Sequence, residues 1–154
     1  MSELCLEAES AFKSRDILKE LKAFVPHFTD FSRAAALGAV SATHQGSCAA
    51  IIALASQVST VYYLSNYRPR CPIVYVTRDE PVARQCLLLR AVTPYLLTTP
   101  PLPEWDKDVS MRVEEGMQYG AKQGFINNND TVVILMALTS EQGRHCSVQI
   151  VTYS

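Results

Sequence analysis

The sequence has few residues of the types that build metal or phosphate-binding sites. Its three histidines, His27, His44 and His145, are scattered along the chain, and no pair of carboxylates has the spacing of metal ligands or of glycosidase acids. Its six glycines form no phosphate-binding fingerprint. These absences argue against a metalloenzyme and against a glycine-rich nucleotide loop.

Long apolar runs and an excess of one charge are also absent. The longest apolar runs are Cys48 to Ala55 and Val132 to Leu138, whereas a membrane-spanning helix needs about 20 residues. The N-terminus is acidic where a signal peptide would be basic. With a net charge of −1, the chain has no bias toward nucleic acid or anionic lipid. We therefore expect a cytoplasmic protein with no membrane and no nucleic-acid partner.

The five cysteines are odd in number and include no Cys-x-x-Cys pair. We expect them to be reduced. No histidine or basic pair lies where it would activate a thiolate, so Cys48, Cys71 and Cys146 are interpreted as small buried hydrophobes.

Apolar periodicity and chain breakers predict an alternation of strands and helices. The predicted strands are Cys48 to Ala55, Ile73 to Thr77, Val92 to Leu97, Thr131 to Ala137 and Ser147 to Thr152. The predicted helices are Leu4 to Phe24, a small-residue helix capped at Thr29, Asp30 or Ser32 and ending near His44 to Gly46, Val58 to Tyr67, Pro81 to Arg90, and about Lys107 to Gln123. Gly116 and Gly120 lie one turn apart in the last helix, which predicts close packing on a neighbour.

This order predicts one α/β domain over residues 1–154, with a mostly parallel sheet covered by helices on both faces. The last two predicted strands are separated by about nine residues, too few for a crossover, so the final strand should run antiparallel.

One segment carries a family resemblance. Tyr67-Arg68-Pro69-Arg70-Cys71-Pro72-Ile73 leads into a strand ending Val76-Thr77-Arg78 and a helix containing Ala83-Arg84-Gln85. This string resembles the C-terminal domain of pyruvate kinase. The segments Cys5 to Glu9, Leu37 to Val40, Trp105 to Val109 and Gly124 to Leu135 follow in the family's order and spacing.

The resemblance implies a three-layer α/β/α domain whose five strands have the order 3-2-1-4-5, with the last strand reversed. In the family, the phosphoryl-transfer residues and the magnesium and potassium sites lie in a catalytic barrel, to which no segment here corresponds. The resemblance therefore implies no catalytic residue, no metal site and no cofactor in this domain, and no conversion of phosphoenolpyruvate by the chain alone.

A ligand crevice is expected at the carboxyl ends of the first and fourth strands, where the winding direction switches. In family members that respond to fructose 1,6-bisphosphate, this crevice binds the effector through a loop resembling Thr-Lys-Ser-Gly-Arg-Ser, together with a Trp and an Arg. Trp105 and Arg112 match the last two, but positions 55–60 read Ala-Ser-Gln-Val-Ser-Thr. We expect a degenerate site that binds a phosphorylated small molecule weakly at most. Its candidate residues are Ser56, Gln57, Ser59, Thr60, Trp105, Arg112, Thr139, Ser140 and Gly143, with residues 138–144 as a flexible lid.

The final strand is expected to lie at the sheet edge without a Lys, Pro or inward charge to prevent pairing with another chain. The resemblance implies that such strands meet across a two-fold axis, with Gln149 and Val151 as subunit contacts, so we expect a homodimer or contact with pyruvate kinase subunits.

Three functions remain open: a regulatory and subunit-contact module of the glycolytic enzyme, a stand-alone small-molecule or nucleotide sensor, and a structural partner of full-length pyruvate kinase. The start at Met1-Ser2-Glu3 suits a natural short protein and a fragment equally.

Overall fold

The computed structural model describes residues 7, 14–24, 30–140 and 143–154. The elements in chain order are α1 (Ser14–Ala23), α2 (Phe31–Gln45), β1 (Cys48–Ala55), α3 (Val58–Asn66), β2 (Ile73–Thr77), α4 (Glu80–Cys86), β3 (Val92–Leu96), α5 (Trp105–Lys122), β4 (Thr131–Ser140) and β5 (Gly143–Thr152). The part of the predicted first helix before Ser14 lies outside the described residues, apart from Glu7, which is helical. Thr29, one of the three caps predicted for the second helix, also lies outside them.

The five strands form one sheet in the order β3-β2-β1-β4-β5. The pairs β1–β2, β1–β4 and β2–β3 are parallel, and β4–β5 is antiparallel. The predicted strand order and the reversed last strand are therefore confirmed. The winding direction changes between β1 and β4, so their carboxyl ends border the crevice that this topology provides.

The sheet is buried between two layers of helices. On one face, side chains of α2 and α3 such as Val40 and Leu64 cover Ile51 and Ile73. On the other face, α5 covers Ile52, Val74 and their neighbours. Burial on both faces explains why β1 and β2 read as continuous apolar runs without alternation.

The two glycines of α5 bring that helix close to the sheet, as predicted. A Cβ at Gly116 would lie 2.7 Å from Val76 Cγ2 and 3.0 Å from Ile52 Cγ2. A Cβ at Gly120 would lie 2.6 Å from Ile126 Cδ1. Gly116 thus lets α5 approach β1 and β2 closely, and Gly120 leaves room for Ile126, which lies between α5 and β4.

Three local predictions are wrong. Helix α4 begins at the Asp79 cap, whose carboxylate accepts the Val82 N–H at 3.0 Å, but it ends at Cys86 instead of Arg90. Strands β4 and β5 extend toward each other and pair as far as Ser140 with Gly143, which shortens the connection to residues 141–142. Cys146 is exposed on β5 instead of buried, whereas Cys71 is buried and Cys48 is half-buried.

Candidate functional site

The crevice at the carboxyl ends of β1 and β4 is closed at its base by hydrogen bonds between the two strands' exits. The Ser56 N–H donates to the Ala137 carbonyl at 3.0 Å, and the Thr139 N–H donates to the Ser56 hydroxyl oxygen at 2.9 Å. The structure therefore brings Ser56 and Thr139 together, as the topology predicts. The Ser56 hydroxyl is already used as an acceptor, although its own proton is still available to a ligand.

The rest of the first loop does not converge on this point. The Thr60 side chain is fully buried, so the prediction that it borders the crevice is wrong: α3 turns it toward the protein interior. Ser59 lines a different, apolar groove on α3 with Val58 and Tyr62. Gln57 is exposed and lines a small depression beside Thr139.

The expected lid is part of the β-hairpin. Thr139 and Ser140 belong to β4, and Gly143 belongs to β5 with a φ of 127°, a conformation that favours glycine. The next residue, Arg144, lies 3.6 Å from a carboxylate oxygen of Asp30 at the start of α2. Residues 138–140 and 143–144 thus form the end of a β-hairpin, residues 141–142 lie outside the described residues, and the lid over 138–144 stays a prediction.

A groove of about 470 Å³ lies between the start of α5 and this hairpin. Trp105 lines it from α5, and its ring packs against the His145 ring with 5.3 Å between centroids. Arg144 also lines the groove and supplies a cation to it. The resemblance to the effector loop does not point to Arg144, which lies outside positions 55–60 and enters the sequence prediction only as the last residue of the expected lid; the signal in the sequence is a cation directly after Gly143.

Arg112 does not join Trp105 at the groove. The two residues are seven apart in α5, which separates them by about 10 Å along the helix axis. An Arg112 guanidinium nitrogen, Nη2, lies 3.5 Å from the Val76 carbonyl oxygen, and the Nε atom is buried without a hydrogen-bond partner among the described residues. Burial, and then the neighbouring Arg78 charge, lower the pKa of Arg112. The predicted phosphate contact is thus turned toward the sheet.

An ion pair that the sequence analysis did not single out holds the start of α5. Arg78 follows β2, and its Nη1 and Nη2 atoms donate to Asp108 Oδ2 at 3.1 Å and Oδ1 at 2.6 Å. The Arg78 Nε atom donates to the Thr99 carbonyl at 2.9 Å, and Asp108 Oδ1 also accepts the Leu102 N–H at 3.0 Å. The Arg78 hydrogen bond is the largest cause that lowers the pKa of Asp108, and burial opposes it. The pair ties the proline-rich crossing segment to α5 and so positions Trp105.

In the described part of the chain, no group of three or more His, Cys, Asp or Glu residues is placed to hold a metal ion. No helix in the same residues is long and apolar enough to cross a membrane. The polar and aromatic side chains that line the groove are Trp105, Asp106, Ser110, Arg144, His145, Cys146 and Ser147, so the Arg144 cation shares the groove with the Asp106 carboxylate.

Comparisons with known proteins agree on one family. The sequence matches the family described as "Pyruvate kinase, alpha/beta domain" over residues 33–151. It is 38% identical over 129 residues to "Pyruvate kinase PKLR" of Homo sapiens, covering 84% of this chain and 22% of that protein. It is 32% identical over 152 residues to "Pyruvate kinase 2" of Saccharomyces cerevisiae, covering 99% of this chain and 30% of that protein. The chain thus spans less than a third of the length of these relatives.

Proposed function

The chain belongs to the family of the pyruvate kinase alpha/beta domain, and on this premise we propose that it is a regulatory and subunit-contact module of pyruvate kinase, without catalytic activity by itself. The observation that carries the proposal is the open edge of β5. This strand is the last in the sheet, and Ile150 is 63% exposed on it. An edge strand with exposed apolar side chains and unpaired backbone groups favours pairing with another chain.

The same strand supports the regulatory part of the proposal. Its first half, with Arg144 and His145, lines the groove beside Trp105, and its second half, with Val148 and Ile150, forms the exposed edge. A ligand in the groove would contact the strand that meets the partner. Ligand binding would then change the free energy of association, and the size of the change is limited by the difference in the ligand's binding free energy between two arrangements of β5.

We propose that the ligand is a phosphorylated small molecule bound weakly. Arg144 is the cation of this groove among the described residues that line it, and it is shared with Asp30. A charge-assisted hydrogen bond contributes about 1.5–3 kcal/mol, so a site with two fewer cations than the family's effector loop loses about 3–6 kcal/mol of binding free energy.

A stand-alone small-molecule sensor is the second candidate. The observation that favours it is the open groove of about 470 Å³, because the aromatic ring of Trp105 and the Arg144 cation both line it. A sensor would bind its ligand without any need for a second subunit.

Mixing experiments test the first proposal. The chain is labelled and titrated with a full-length pyruvate kinase, and association is followed by sedimentation velocity together with the activity of the full-length enzyme. We expect association, and no turnover of phosphoenolpyruvate and ADP by the chain alone with magnesium and potassium. A different result would be a chain that neither self-associates nor binds the enzyme at tens of micromolar and yet is stabilised by a phosphorylated ligand. That result would contradict the subunit-contact module and support the sensor.

A further inference from the structure

Two cysteines meet at the starts of neighbouring strands, at the end of the sheet opposite the crevice. Cys48 is the first residue of β1, and Cys71 lies two residues before β2 begins at Ile73. Ile51 and Ile73 are register partners, and the Ile51 N–H donates to the Pro72 carbonyl at 2.9 Å. Both cysteines contact the same hydrophobic cluster, the Cys48 thiol donates to the Ala50 carbonyl oxygen at 3.3 Å, and the two thiols are close enough for each to shift the pKa of the other.

An irregularity in β1 places them on one face. Cys48 pairs with Thr131 of β4 and Ala50 pairs with the next residue, Val132, so β1 contains one extra residue at Ala49. A bulge of this kind re-aims the side chain beside it. Without it, the strict alternation of a strand would turn Cys48 to the face opposite Ile51.

The backbone spacing fits a covalent bond between the two sulfurs. The register of Ile51 with Ile73, extended back by two residues, places Cys71 opposite Ala49, which is the neighbour of Cys48. Neighbouring strands lie about 4.8 Å apart and one residue advances about 3.3 Å, so two residues offset in this way have a Cα separation of about 5–6 Å. Disulfides form at Cα separations of about 4.4–6.8 Å.

We propose that Cys48 and Cys71 are a redox-active pair that forms an intramolecular disulfide with a small-molecule disulfide such as oxidised glutathione. The Cys48 thiolate attacks one sulfur of oxidised glutathione, forms a mixed disulfide and expels one glutathione thiolate. Cys71 then gives its proton to solvent, attacks the Cys48 sulfur and expels the second glutathione thiolate. Two protein thiols are oxidised, and one glutathione disulfide is reduced to two thiols.

The order of attack follows from the surroundings of the two thiols. The hydrogen bond with Cys71 lowers the pKa of Cys48 to about 7; partial burial opposes this, and backbone hydrogen bonds of Val133 and Ala50 support it. The same hydrogen bond raises the pKa of Cys71, and burial raises it further. Cys48 is also the less buried of the two. Once Cys48 is bonded to glutathione it is no longer an anion, so the largest cause of the raised Cys71 pKa disappears.

The other described cysteines offer matched controls. Cys86, on α4, is buried in the same hydrophobic cluster, and burial raises the pKa of its thiol. Cys146 is exposed on β5. Cys146 shows how an exposed thiol without a neighbouring thiol reacts, and Cys86 shows how a buried thiol reacts.

The experiment incubates the folded chain with oxidised glutathione, blocks free thiols with N-ethylmaleimide and maps the peptides by mass spectrometry. We expect a Cys48–Cys71 linkage that dithiothreitol reverses, in the unsubstituted chain and in the Cys86→Ser and Cys146→Ser variants. Cys71→Ser should stop at a mixed disulfide on Cys48, and Cys48→Ser should leave Cys71 free. The linked chain should melt several degrees higher than the reduced chain.

Three outcomes would overturn the proposal. One is modification of Cys146 alone, with Cys48 and Cys71 still alkylated. Another is linkage of either cysteine to a different partner. The third is an equal rate of linkage in urea, because the folded structure would then not be what brings the two cysteines together. All three measurements use the unsubstituted chain, so they do not depend on the folding of a variant.

Discussion

Arg78 donates hydrogen bonds from both terminal guanidinium nitrogens to the two carboxylate oxygens of Asp108, and the side chains are only 25% and 11% exposed. The pair joins the end of β2 to the first turns of α5 and accepts a backbone N–H from the crossing segment at Leu102. This contact therefore adds to the packing of α5 on the sheet in holding the helix turn from which Trp105 borders the groove. A partly buried pair of this geometry is costly to break from one side, because the remaining charge loses its partner.

We expect Asp108→Asn to lower the free energy of unfolding by about 2–4 kcal/mol at pH 7, since it keeps the shape of the side chain and removes its charge. The pKa of Asp108 is lowered in the folded chain from its usual 3.8. Its contribution is therefore present above that value and is lost as the pH falls through the lowered folded pKa. Urea unfolding at pH 7 and pH 3 should show a difference between the two proteins that shrinks in acid.

Asp106→Asn is the matched control, because Asp106 lies on the same helix turn but is exposed. It should cost less than about 1 kcal/mol, the size of an interaction with the helix dipole. Equal effects of the two substitutions, or an Asp108→Asn effect that persists unchanged at pH 3, would argue against the role assigned to the ion pair.

Gly116→Ala should destabilise the fold by about 1–3 kcal/mol, because the new methyl group would lie 2.7 Å from Val76 Cγ2. Gly38→Ala provides the comparison: it is also in a helix, but its Cβ would meet only Val148 Cγ2 at 3.9 Å. Removing glycine from a helix without a clash stabilises by up to about 1 kcal/mol. Thermal melts of the two variants should shift in opposite directions, and a shift in the same direction would contradict the close packing of α5.

The strands were predictable where local pattern and tertiary role coincide. β1 and β2 have the bounds read from the sequence, because a continuous apolar run between breakers is what a strand buried on both faces requires. α4 was extended too far because Leu87 to Leu89 continue the apolar pattern. They form i to i+3 hydrogen-bonded turns instead, and Ala91 adopts a φ of 62° before β3 begins.

The site was less predictable because its side chains are directed by distant contacts. The sequence places Arg112 at a plausible spacing from Trp105, but burial against the Val76 carbonyl decides where its guanidinium lies. Gly143 predicts a turn at the end of the hairpin, but the contacts of Arg144 with Asp30 and of His145 with Trp105 have no signal in the local sequence. Such contacts join elements far apart in the chain and leave no local signature.

Fructose 1,6-bisphosphate should produce no measurable thermal stabilisation at tens of micromolar, since stabilisation grows as RT ln(1 + [L]/Kd) and the loop at positions 55–60 has no cation. Gln57→Lys should improve the affinity by about tenfold, because Gln57 shares a depression with Arg144 and one added charge-assisted contact is worth at least about 1.5 kcal/mol. Gln123→Lys adds the same charge at the far end of α5 and should change nothing. Strong binding by the unsubstituted chain would show that the crevice is not degenerate.

The last prediction concerns the edge of β5 and depends on which backbone groups face outward. The Tyr153 N–H donates to the Asp130 carbonyl, and alternation along an antiparallel strand then directs the N–H groups of Val151 and Gln149 toward β4 and that of Ile150 outward. Ile150→Pro should therefore remove a donor from an intersubunit ladder while it leaves the hairpin paired, as proline is tolerated at such edge positions.

If β5 pairs with another chain, Ile150→Pro should shift the mass measured by light scattering at tens of micromolar toward the monomer, with little change in the circular dichroism of the folded chain. Ile150→Thr keeps the N–H and loses only part of the apolar surface, so it should weaken association less. Gln149→Pro removes a donor that points inward, and it should destabilise the hairpin itself. An Ile150→Pro chain that associates as strongly as the unsubstituted chain would argue against a ladder through β5, since proline removes one of its outward donors and its ring obstructs the strand that would pair there.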